Sequence, residues 1–331
     1  MTHTLTSGGE PLPVPLNPTD TIDICFQNYV QTRQRSSDLH MQNGIPDYAY
    51  GQDFVLREKI RAIPGAFALF KAVTSQYVPY LKQVYNLEAL KVGPAQFPEI
   101  YEITQDCARR LGIGLPTVFI YPDPATINAF TIATEDDSPL IVIHSALLER
   151  FTRGELRTII GHECGHIHNN HGIYNTAAEV ILNSLSAGLP IIRQLLSLLS
   201  LPLKYAILSW SRAAEITCDR AGIICADDAG DELTAKAKLL YGGAFDAGEA
   251  NLEAILRQYD MLRSTPVRLL ELSSTHPVPV RRIFAAREFI NSEILYSWRP
   301  EWRQAGRALI SKEELDARCQ RYVGVIASKK R

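Results

Sequence analysis

The sequence predicts an α+β fold, predominantly helical with a small β-sheet. Runs of β-branched and aromatic residues bounded by turn signals are confined to positions 117–143. Apolar residues recur at helical spacing before that stretch, and nearly everything after Ser145 reads as helix. The 331 residues are 46% hydrophobic, enough for a substantial buried core. With 20 glycines and 19 prolines the chain is neither collagen-like nor of low complexity. A net charge of −2 provides no global field to recruit nucleic acid, and no nucleic-acid partner is expected.

Residues 1–45 are expected to be a flexible segment. Pro11, Pro13, Pro15 and Pro18 favour extended, polyproline-like backbone. The first twenty residues show neither the basic start nor the apolar run of a secretory signal. A helical extension follows over 46–112. Its first helix begins near Asp53, where Phe54, Val55, Leu56, Ile60 and Ile63 keep a rough helical period until Pro64-Gly65. Two more helices are expected over 66–90 and 96–112, the second ending at Gly112 and Gly114.

The period then changes. Residues 117–121, 128–133 and 140–143 read as strands, and the polar run from Glu135 to Ser138 lets the last two pair as a hairpin. A catalytic domain is expected over 113–295 and a C-terminal tail over 296–331. Six cysteines (Cys25, Cys107, Cys164, Cys218, Cys225 and Cys319) are scattered without a Cys-x-x-Cys pair. They read as reduced core thiols and favour a cytoplasmic location.

The chemical signal is His162-Glu163-Cys164-Gly165-His166. Thr152 and Glu155 form a capping box that would start the helix carrying it. Positions i and i+4 share a helix face, so both imidazoles can reach one tetrahedral zinc, with Glu163 near the open coordination position. Chance would produce this pattern in roughly one of a hundred such chains. His168 and His171 miss the spacing of a third histidine ligand and read as polar residues at the helix end. The third ligand is then Glu215 or Glu179. Glu215 is favoured because Asp219, one turn on, can accept a hydrogen bond from a ligand histidine, whereas Glu179 is followed by Asn183.

Four segments, in this order, resemble the HtpX-like and CAAX prenyl protease-like zinc metallopeptidases, within the gluzincins. They are Asn128-Ala129-Phe130, the stretch from Gly161 to His168, Glu215-x-x-x-Asp219-Arg220-x-Gly222, and Ser274-Thr275-His276-Pro277 followed by Arg282-Ile283. The resemblance spans roughly residues 95–290 and implies a zincin-like fold and a zinc-dependent endopeptidase with one zinc ion per chain. By position it implies His162, His166 and Glu215 as ligands and Glu163 as catalytic base. His276 is expected as a second catalytic group donating to the oxyanion, because Pro277 places it in a loop before a helix. Asn128, Ala129 and Phe130 are expected to form an edge strand that holds substrate, and Arg282 to support the site or the structure.

Many relatives are integral membrane proteins, but no charge-free run here reaches the roughly 18 residues of a span. The stretch 180–210 comes closest. Arg193, Ser197, Ser200 and Lys204 draw a narrow polar stripe along an otherwise apolar helix. It reads as a helix buried against the catalytic domain, as a lid or dimer surface, or as a peripheral membrane contact. The function expected is peptide-bond hydrolysis of a peptide or protein substrate, with misfolded polypeptide the general case and one membrane-anchored substrate the specific one. The alternative is a zinc-binding, proteolytically weak regulatory or scaffold protein, which would have no need of Glu163.

Overall fold

The computed structural model describes residues 40–134, 138–177, 201–243, 251–260 and 277–323. Its main sheet grows where the sequence changes period. Strands β4 (Thr117–Tyr121) and β6 (Leu140–His144) pair in parallel, with Thr117 opposite Leu140 and Tyr121 opposite His144. Strand β5 (Ala129–Ile132) lies antiparallel to β6, as the hairpin reading predicts. The two-residue β3 (Leu90–Lys91) completes the order β3-β4-β6-β5 and leaves β5 at an edge. A separate two-strand ribbon, β1 (Met41–Gln42) and β2 (Ile45–Pro46), turns at Asn43-Gly44.

Alternation along the strands divides the apolar side chains between the sheet's two faces. Val118, Ile120, Ile141 and Ile143 enter the main core, whereas Phe119, Leu140 and Val142 pack with Ile132 and Val78. Val78 belongs to α2 (Ala66–Glu88), which follows α1 (Gly51–Arg61). The main core also takes Tyr48 and Tyr50, Ile103 and Leu111 of α3 (Pro98–Leu111), Phe289 of α9 (Pro279–Ile290), and Leu315 and Cys319 of α11 (Lys312–Val323). Between these run α4 (Ser145–Arg150), α5 (Arg153–His168), α6 (Leu201–Cys225), α7 (Ala229–Tyr241), α8 (Leu252–Asp260) and α10 (Glu293–Trp298).

The contact that positions the site is α5 on α6. A Cβ on Gly161 would stand 2.5 Å from Cys225 Cβ, and one on Gly165 would stand 2.7 Å from Ala221 Cβ and 3.2 Å from Cys218 Cα. Only glycine permits this approach. With Gly161 and Gly165 one residue before His162 and His166, it sets both histidines beside the polar side chains of α6. The five cysteines among the described residues are free and buried, as expected of core thiols.

The stretch expected to be buried, a lid or a membrane contact falls largely on 178–200, outside the described residues, as do Glu179, Asn183 and His276. Among the described residues no helix is long and apolar enough to cross a membrane.

Candidate active site

Helix α5 starts where the capping box predicts: Thr152 Oγ1 accepts from Glu155 N at 3.3 Å, and Glu155 Oε2 accepts from Thr152 N at 2.8 Å. Two turns later His162 and His166 project from one face, their ring centroids 5.0 Å apart. Both are buried at the floor of a cleft that Asn128, Ala129, Thr131, Glu163 and Glu215 also line.

Helix α6 supplies the carboxylates. Glu215 Oε2 lies 3.6 Å from His162 Nε2, and Glu215 Oε1 lies 3.5 Å from His166 Nε2. One turn on, Asp219 Oδ1 is 2.9 Å from His162 Nδ1, the partnership the sequence spacing predicts. Arg282 of α9 ties the two carboxylates together. Its Nη1 is 2.8 Å from Glu215 Oε2, its Nε donates to Asp219 Oδ2 at 2.8 Å, and its Nη2 donates to Asp219 Oδ1. Lys236 Nζ of α7 is 3.0 Å from Asp219 Oδ1 and 2.9 Å from the buried Glu232.

These contacts set the charge states. Burial would raise the Asp219 carboxyl, but the charges of Arg282 and Lys236 outweigh it and hold Asp219 well below the usual carboxylate range. Burial pushes His162 down despite Glu215 and Asp219; burial would lower His166 too, but the Glu215 hydrogen bond and the charges of Glu163 and Glu215 prevail and raise it.

Glu163 is buried on the cleft wall, and Thr131 Oγ1 donates to its Oε2 at 2.7 Å. Thr131 belongs to β5. Ala129 and Phe130 lie in this edge strand and Asn128 immediately precedes it, with the Asn128 carbonyl accepting from His144 N at 3.0 Å. Of this segment Asn128 is exposed, and Asn128 and Ala129 face the cleft. Pro277, which follows His276, lines the cleft as well.

Both helix-end histidines are buried, and His171 is wholly inaccessible. His168 Nδ1 meets the Tyr48 hydroxyl at 3.0 Å, and His171 meets Asp53 and His166. Cys218 Sγ falls within 4.8 Å of a ring nitrogen of each of His162 and His166, and so is a second candidate donor. Its sulfur is 3.6 Å from His171 Nδ1, and burial, reinforced by the charges of Glu215 and Asp53, pushes the thiol well above its usual range. A thiol held protonated is a poor ligand.

The donor set fits zinc. Bonds of 2.0–2.1 Å in a tetrahedron place neighbouring ligand atoms about 3.3 Å apart, and each Glu215 oxygen stands near that separation from one Nε2, Oε2 from His162 and Oε1 from His166. Sequence reasoning missed Thr131, Lys236 and Asn175. Alternation could have set Thr131 on the cleft side of β5, but nothing local marks the other two.

A His-Glu-x-x-His helix clasped by a Glu-x-x-x-Asp helix is the arrangement of a metallopeptidase site. The chain belongs to peptidase family M48, whose model matches residues 94–290, more than half of its length. Its relatives include the plastoglobule-localized metallopeptidase 48 of Arabidopsis thaliana, 31% identical over 232 residues, or 67% of this chain and 66% of that protein. The protease HtpX homolog of Lactobacillus acidophilus is 31% identical over 98 residues, covering 30% of this chain and 33% of the relative. Protease HtpX of Vibrio parahaemolyticus is 38% identical over 77 residues, covering 23% and 26%. The chain thus spans just under two thirds of the Arabidopsis relative and a third or less of these HtpX proteins. No solved structure matches it.

Proposed function

We propose that this chain is a zinc-dependent endopeptidase in which His162, His166 and Glu215 hold one zinc ion and Glu163 is the general base. The observation that carries this reading is the placement of both Glu215 oxygens at 3.5–3.6 Å from the two Nε2 atoms, with Glu163 in the same cleft. When bound, zinc supplies Lewis-acid chemistry that makes water a nucleophile near neutral pH and polarises a carbonyl.

The side chains do the rest. Glu163, held by Thr131, takes the proton of the attacking water and returns it to the leaving amine, a positioned transfer typically worth 10²–10⁴-fold. Arg282 keeps Asp219 ionised and, paired with Glu215 as well, holds both carboxylates beside the histidines. A substrate backbone adds to the free edge of β5 beside Asn128, Ala129 and Phe130, as extended peptides commonly add to an exposed strand. His276 is the proposed second donor to the developing oxyanion, a role supported by Pro277 lining the cleft.

The test is zinc analysis paired with cleavage of casein, with and without chelator, on wild type and Glu163→Gln. The expected outcome is about one zinc per chain, chelator-sensitive cleavage, and a variant that keeps zinc but loses at least about 100-fold in turnover. Full zinc with no cleavage would favour the regulatory or scaffold reading, and chelator-insensitive cleavage would overturn the mechanism.

A further inference from the structure

A histidine that binds metal through Nε2 must carry its hydrogen on Nδ1, and that hydrogen needs an acceptor. For His162 the acceptor is Asp219. For His166 no carboxylate stands at Nδ1 among the described residues; its neighbours there are His171 Nδ1 at 3.2 Å and the Asn175 amide nitrogen Nδ2 at 2.7 Å. His171 can accept there only as the tautomer with its hydrogen on Nε2. Asp53 Oδ2, 2.9 Å from His171 Nε2, favours that tautomer.

The arrangement is built on both sides. Asn170 takes φ = +54°, a left-handed conformation asparagine tolerates, and this folds the chain back beneath α5. His171 N then donates to the His166 carbonyl at 3.0 Å. Asp53, on α1, also accepts from Trp210 Nε1 at 2.8 Å and Thr217 Oγ1 at 2.7 Å, and is buried like His171. A carboxylate that far from solvent is costly unless its hydrogen-bonding capacity is used, and these three donors use it.

We propose that Asp53 and His171 form a hydrogen-bonded relay that fixes the tautomer and ring orientation of His166, making Asp53 a positioning residue for the metal site. It would do for His166 what Asp219 does for His162. Asp53 lies outside the family-matched residues 94–290, so the N-terminal extension would complete the site. Asn175 presents its amide nitrogen to His166 Nδ1, so the relay requires that amide to be turned, its oxygen then sharing the His166 hydrogen, and the Cys218 thiol is a weaker competitor for His171 Nδ1. The inference rests on the zinc reading above.

The test is competition for zinc between a chromophoric chelator and the full-length protein, with the visible spectrum of the cobalt-substituted protein as a second readout. Asp53→Asn and His171→Phe are each expected to weaken zinc binding by roughly 10-fold or more and to shift the cobalt bands, the range seen when outer hydrogen-bond partners of metal ligands are lost. Because both act through one relay, the double variant should be little weaker than the poorer single one. Trp210→Phe removes another donor to Asp53 and leaves the relay intact, so it should lower thermal stability without changing zinc affinity or the cobalt spectrum. If Asp53→Asn does not fold, His171→Phe carries the test, since Asp53 then keeps Trp210 and Thr217. Wild-type zinc affinity in both relay variants, or an equal loss in Trp210→Phe, overturns the relay alone. A wild-type protein that retains no zinc overturns the zinc reading and the relay with it.

Discussion

Asp219 Oδ1 stands 2.9 Å from His162 Nδ1 and is also the point on which Arg282 and Lys236 converge. One carboxylate thus orients the His162 ring and pairs with two buried cations. Asp219→Asn keeps the shape but sets an amide between three donors. Zinc affinity should fall about 10–100-fold, and the apoprotein should lose stability, because unpairing a buried charge costs about 3–5 kcal/mol. Chelator competition and urea unfolding measure the two effects. Unchanged zinc affinity would mean that something other than Asp219 orients His162.

Thr131 reaches Glu163 from the neighbouring sheet, and the contact predicts a purely kinetic effect. Thr131→Val is close in shape and removes the hydroxyl that holds Glu163 Oε2. A hydrogen bond to a charged group is worth about 1.5–3 kcal/mol, so turnover should drop roughly tenfold or more. Zinc content should not change, since the hydrogen bonds of the Thr131 hydroxyl go to Glu163. Steady-state kinetics on metal-saturated protein decide it; a variant that loses zinc in proportion to activity would show that Thr131 supports the metal site instead.

How much of this was legible in the sequence follows from which contacts are local. The capping box, the shared face of His162 and His166, and the Glu215–Asp219 spacing are each set within one or two turns of helix, and all three appear as expected. The β5–β6 hairpin was legible for the same reason. The His171–Asp53 pair joins residues 118 positions apart, and Thr131–Glu163 joins a strand to a helix 32 positions on. Nothing in either local sequence names the partner. His171 reads as a polar helix end because burial depends on the turn at Asn170 and on α1, both invisible to periodicity. The glycines at 161 and 165 were visible, but their meaning emerges only when α6 is laid against them.

That close approach yields a further prediction. Gly165→Val places branched carbon where a single Cβ already falls 2.7 Å from Ala221 Cβ. Overpacking of this kind costs about 1–3 kcal/mol. The strain should also part α5 from α6 and carry Glu215 away from His162 and His166. The expected result is a folded protein with a lower unfolding midpoint and weaker zinc binding. Gly154→Ala is the control: the three atoms nearest its added Cβ all belong to the Asp231 carboxylate, and it sits at the end of α5 away from the histidines, so it should leave zinc affinity unchanged. Zinc affinity insensitive to Gly165→Val would remove the argument that glycine spacing positions the ligands.

The last prediction concerns acid. Asp316 on α11 accepts from Gly51 N at 3.1 Å, from Arg220 at 2.8 Å and from Lys312 at 2.8 Å, joining the C-terminal helix to the start of α1 and to α6. Burial works to raise its carboxyl, but the charges of Arg220 and Lys312 prevail and hold it below the usual range. A carboxylate depressed in the folded state adds stability that is fully present above its unfolded pKa of about 3.9 and is lost as pH falls through the folded value. Asp316→Asn should therefore cost about 2–3 kcal/mol near neutral pH, a buried-pair figure reduced because the Asp316 side chain is 23% exposed while that of Arg220 is 1% exposed. The gap between wild type and variant should hold down to about pH 4 and close below it. Urea unfolding of both proteins across that range measures the gap directly. A gap that stays constant into strong acid would show that Asp316 acts through shape and not through charge.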